Sequence, residues 1–116
     1  MSTIKVDAIQ NTSGVEVYTA KAWVNFNQQG TQAIRADGNV SSITDGGVGI
    51  TTVSYSSALS SANYALSGTA TNNTARTGMI GPREGETFGT TAVWVHVQND
   101  AGTFADSQLA SLEMIL

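Results

Sequence analysis

The chain has 116 residues, a formal net charge of −4 and no cysteine. This length suits a single domain with a modest core. The five basic residues, Lys5, Lys21, Arg35, Arg76 and Arg83, are scattered, which argues against a phosphate-reading surface and so against nucleic acid as a partner. Without thiols there is no disulfide framework and no thiolate metal centre.

The first 20 residues read as an extended N-terminal arm, and 21–116 as a single β-domain. In the arm Ile4, Val6 and Ile9 give a partial strand alternation, broken by the polar run from Gln10 to Gly14. A segment this short has no core of its own, so these three side chains are expected to pack on the chain's own domain, on a neighbouring copy or on another protein, and are the candidate attachment residues. From Ala22 the alternation sharpens: Ala22, Val24 and Phe26 face one way, Trp23 and Asn25 the other. Gln28-Gln29-Gly30 turns the chain into a second strand, Gln32 to Ala36, closed by the hairpin signal Asp37-Gly38. Val40 to Thr44 is a third strand, closed by Asp45-Gly46-Gly47. Gly49 to Tyr55 is a fourth, rich in β-branched residues. A helical turn is predicted over Ser57 to Asn63, with Ser57 as its cap.

Tyr64 to Ala70 returns to strand. The polar run from Thr71 to Thr77 leads into Gly78–Gly89, which holds the one proline and is expected to be a surface loop. Thr90 to Gln98 is the clearest strand, with Val93, Val95 and Val97 opposite Trp94. Asn99-Asp100-Ala101-Gly102 turns it toward an alternating C-terminal segment, Gln108–Leu116, expected to be its antiparallel partner. Seven or eight short strands with frequent turns make an all-β fold, a small antiparallel sandwich or barrel.

Little here announces chemistry. The single histidine, His96, shares the face of Trp94, and no motif brings an acid or nucleophile to it. Glu84 and Glu86 flank Gly85 in the expected loop and read as a solvated tip rather than a paired-carboxylate site. The acidic turns lack calcium-loop spacing. No catalytic residue, metal ligand or cofactor site is therefore assigned, and the chain is not expected to be an enzyme. Membrane insertion is not expected, because no window approaches the roughly 18 apolar residues of a span. Lys5, Asp7 and Gln10 interrupt what an export signal would need, so synthesis in the cytoplasm is expected.

The outward set Trp23, Asn25, Trp94 and His96 is the candidate binding surface, either a subunit interface or a receptor site, since aromatic rings beside amides serve both. Only 12% of the residues are charged, about half the usual share, and hydroxyls and amides bury between copies more readily than ions. Symmetric packing between copies is expected.

Two blocks carry a resemblance. Lys-Ala-Trp-Val-Asn-Phe-Asn, Ala-Ile-Arg and Gly-Asn-Val-Ser-Ser-Ile-Thr-Asp, within residues 21–45, together with the opening Ser2–Gly14, resemble a β-domain of tail-fibre-like proteins of bacteriophages, cyanophages in particular. The resemblance covers about two fifths of the chain. It implies a virion structural protein, a short tail-fibre or tail-tip component assembling as a homotrimer, with other virion proteins as partners and the virion as its location. The alternatives are a capsid cement or decoration protein, and a carbohydrate-binding module that recognises a host surface glycan.

Overall fold

A computed structural model of the protein describes residues 3, 10, 12–14, 20–71, 77–83, 85 and 88–116. Ile4, Val6 and Ile9, expected to attach the chain to a particle, lie outside the described residues, as do Glu84 and Glu86.

The described chain is all-β. Its strands are β1 (Ala20–Asn27), β2 (Ala33–Gly38), β3 (Val40–Gly47), β4 (Ile50–Tyr55), β5 (Ala65–Thr71), β6 (Thr77–Pro82), β7 (Ala92–Gln98) and β8 (Ala110–Ile115). They pair antiparallel in the order β2-β1-β8-β5-β6-β7-β4-β3, a nearly closed eight-stranded barrel. Within it β5, β6 and β7 form a meander and β8 returns beside β5, a Greek key. At the corner, β6 pairs with β5 through Gly78 and Thr77, then with β7 from Met79 to Pro82, and so passes from one half of the barrel to the other.

Period-two alternation decides what is inside. Ala22, Val24 and Phe26 of β1 are fully buried, as are Val95 and Val97 of β7 and Met114 of β8, while Trp23 and Trp94 point outward. Each large apolar side chain so buried contributes about 1.5–3 kcal/mol.

The two ends of the core are sealed differently. At one end Tyr55 packs edge-on to Tyr64, and Tyr64 stacks on Phe88 at 4.9 Å between centroids. The hydroxyls form a relay, Tyr55 donating to Tyr64 and Tyr64 to the Gly89 carbonyl, each over 3.0 Å. Burial, reinforced by Tyr64, pushes the Tyr55 hydroxyl far above its ordinary pKa. Burial also raises Tyr64, against the opposing effect of its hydrogen bond with Tyr55.

The other end is closed by amides. Gln28 is 1% exposed; its backbone N–H donates to the Ser107 carbonyl at 2.8 Å, and its Oε1 accepts from the Ser107 N–H at 2.9 Å. Its Nε2 donates to Thr51 Oγ1 at 2.9 Å, and that hydroxyl donates to Gln32 Oε1 at 2.7 Å. One connected network thus ties the β1–β2 turn, β4 and the approach to β8, and it satisfies the buried polar groups it brings in.

The barrel has a seam, because β2 and β3 end the strand order and share no ladder. Asn39 turns the corner between them in the left-handed region at φ 58°, which asparagine tolerates better than most residues. Its Nδ2 donates to the carbonyls of Lys21 (3.0 Å) and Ser57 (3.1 Å), and its Oδ1 accepts from the Ser57 N–H (2.8 Å).

Several expectations are corrected. Asp37-Gly38 does not close a hairpin: both residues belong to β2, and a Cβ at position 38 would overlap the Trp23 indole, which lies against that glycine. Asp45-Gly46-Gly47 stays within β3, and the turn comes at Val48-Gly49. No helix forms over Ser57–Asn63. A segment this short cannot sustain a helix alone, and the backbone N–H groups of Ser57 and Leu59 are held by Asn39 and by the Thr90 carbonyl.

The segment expected to be a loop from Gly78 contributes β6, with Pro82 at its end, where the lost N–H is tolerated. The C-terminal strand does not pair with β7, whose two edges are taken by β4 and β6; it lies between β1 and β5.

Candidate functional site

The four outward residues do not form one surface. Trp23 and Asn25 lie on β1, Trp94 and His96 on β7, and these strands are four places apart in the order. In a ring of eight that is the far side in either direction, so the barrel has two aromatic faces pointing oppositely.

On the β7 face, Trp94 is 38% exposed, with the Arg83 guanidinium 5.0 Å from its ring centroid, a cation–π contact. His96 does not pack on Trp94. It stacks on Phe104 at 5.2 Å and 28°, because a bridge between Gln98 and Phe104 folds the chain back over β7. The His96 Nδ1 is buried with no hydrogen-bond partner among the described residues. Among the described residues no carboxylate therefore accepts from that nitrogen to orient the ring. Met79 (58% exposed) and Phe104 (40%) extend this side, with Arg83, His96 and Gln98 interspersed among the exposed apolar groups.

On the β1 face, a groove of about 540 Å³ runs across β1, β8 and β5. Its upright side chains stand in two register-matched rows, Trp23–Glu113–Ser67 and Asn25–Ser111–Thr69. The backbone of Val24, Leu112 and Gly68, whose pleats point the other way, makes its floor. Ser67 Oγ donates to Glu113 Oε1 at 3.3 Å, and the Thr69 and Ser111 hydroxyls pair at 3.0 Å. Arg35, outside the lining, holds Asn25 in place. Its Nη1 donates to Asn25 Oδ1 (3.4 Å) and the Phe26 carbonyl (3.0 Å), and its Nη2 donates to the Gln108 carbonyl (2.5 Å).

The sequence singles out Trp23 and Asn25 here and misses Glu113, Ser67, Ser111 and Thr69. The available signal was the outward placement of Ser111 and Glu113 by alternation. What brings them to Trp23 is the β1–β8–β5 pairing, which has no local signature. Among the described residues no three His, Asp or Glu side chains converge as metal ligands. Comparisons with protein-family models, with curated proteins and with solved structures found no match to this chain.

Proposed function

We propose that the chain is a structural subunit of a virion, a short tail-fibre or tail-tip component that works as a homotrimer. The observation that carries this reading is the β7 face, where Met79 of β6, Trp94 of β7 and Phe104, bridged to Gln98, stand exposed. Exposed aromatic and methionine side chains on a rigid support are what protein interfaces use at their centres. A ring closes only if its contacting patches converge on the axis, whereas patches on opposite sides stack copies into open filaments. The β7 face therefore turns toward the three-fold axis and the β1 face away from it. The phage setting is supported by the resemblance of residues 2–14 and 21–45, and the arm at 1–20, with Ile4, Val6 and Ile9, attaches the subunit to the particle.

Light scattering coupled to size exclusion tests the assembly. The protein is expected at three times the mass of one chain, and Trp94→Ala combined with Met79→Ser at the mass of one. A wild-type chain that stays monomeric at high concentration refutes the reading. Imaging of particles that carry the chain tests its place, and density on the capsid rather than the tail would make it a cement protein.

A further inference from the structure

We propose that the groove across β1, β8 and β5 binds a neutral saccharide, with one pyranose ring seated against Trp23. Strands lie about 4.8 Å apart, and side chains on one face recur about every 6.6–6.8 Å along a strand. The two rows thus set polar groups on a grid the size of a six-membered sugar ring. The volume of about 540 Å³ falls in the range of small-molecule sites.

The chemistry of the rows is mixed in the way a polyhydroxyl ligand needs. Glu113 offers only acceptors, with Oε1 shared with Ser67. The Asn25 carbonyl oxygen is held by Arg35, which leaves its NH2 as a donor. The paired hydroxyls of Thr69 and Ser111 both donate and accept. Each sugar hydroxyl can give one hydrogen bond and receive another, and Trp23, 43% exposed, with its indole against Gly38 on the β2 side, lines the groove and supplies an apolar surface for the C–H face of the ring.

Charge narrows the class. Glu113 stands on the central strand of the groove in a chain of net charge −4, which repels uronates, sialates and phosphorylated sugars. Arg35 does not line the groove, and three of its five N–H donors are held by oxygens of the chain itself. A peptide is disfavoured as well. The facing backbones of β1, β8 and β5 are paired with one another, so an extended chain laid across them finds no ladder to join.

The inference does not rest on trimer formation, since the groove belongs to one chain and faces away from Trp94. It is tested by following the two indole N–H signals by ¹H–¹⁵N NMR as methyl glycosides of glucose, galactose, mannose and N-acetylglucosamine are added, with methyl glucuronide as the charged control. At least one neutral glycoside is expected to move the Trp23 signal saturably and leave that of Trp94 in place. Trp23→Ala and Glu113→Gln are each expected to weaken that binding about tenfold or more. Ser111→Tyr, which fills the groove while keeping both Trp23 and Glu113, is expected to abolish it, and Trp94→Ala to leave it unchanged. Four neutral probes that leave Trp23 unmoved, equal binding of the glucuronide, or a Trp23 shift that follows protein concentration instead of sugar would each overturn the proposal. The last result would assign the face to a second copy of the chain.

Discussion

Replacing Gln28 by alanine should weaken the whole barrel, although the residue is polar and lies outside any strand. The substitution leaves the Ser107 N–H without its acceptor, an orphaned buried donor worth about 1–3 kcal/mol. It also empties the space beyond Cβ, roughly 60 Å³, which at about 24 cal/mol per Å³ adds about 1.5 kcal/mol. Thr51 keeps Gln32 as its acceptor, so its hydroxyl adds little. The total is about 2.5–4.5 kcal/mol, against roughly 6–17 kcal/mol for a domain of this size. Gln28→Met restores the volume but not the hydrogen bonds and should cost about 2 kcal/mol.

Urea denaturation followed by tryptophan fluorescence measures both, with an unchanged m-value as the check that native and unfolded states are comparable. A methionine variant within about 0.5 kcal/mol of wild type would refute the account, because the amide network would then contribute nothing measurable. Equal losses for the two variants would remove the cavity contribution instead.

Asn39→Gly keeps the left-handed corner but loses the side-chain hydrogen bonds, for about 1–3 kcal/mol, while Asn39→Ala adds backbone strain of about 1–2 kcal/mol; thermal denaturation should rank them in that order. Gly49→Ala combines a φ of +70° with a Cβ placed 2.7 Å from the Val97 carbonyl oxygen, and calorimetry should show a loss of about 2–4 kcal/mol. Tyr55 and Tyr64 are held neutral in the fold while the unfolded chain ionises near its ordinary tyrosine pKa, so above roughly pH 10 the unfolded state binds fewer protons. Stability is then expected to fall by up to about 1.4 kcal/mol per pH unit for each tyrosine, read from urea midpoints across that range, with a shallower fall for Tyr55→Phe. Deleting residues 1–14 should leave a folded domain that no longer enters particles; incorporation of the shortened chain, scored by immunoblot of purified virions, would dismiss the arm as the attachment segment.

Alternation alone separated Trp23 from Val24 and Phe26, and Trp94 from the valines beside it, because one buried face per strand leaves a period-two record in the chain. Turn chemistry was legible where a side chain serves its own loop, as where Asn99 Oδ1 accepts from the N–H groups of Ala101 and Thr103. Glycine misled where it served a distant partner: Gly38 exists for an indole fifteen positions earlier, not for a turn. Pairing order was hidden for the same reason. β8 lies between β1 and β5, and the Gln28–Ser107 contact beside it spans 79 positions, which no local pattern records. The groove inherits that concealment, since two of its three walls are set by those pairings.

The seam at β2 and β3 bears on how copies of this chain behave when crowded. Held by side chains instead of a ladder, it is where the cylinder can unroll into an open sheet with two bare edges, each able to recruit the edge of another molecule. Arg35 and Asp37 on one margin and Asp45 on the other are charged gatekeepers against such joining. Variants that loosen Asn39 or Gln28 should therefore aggregate or exchange strands between molecules at concentrations where the parent remains clear.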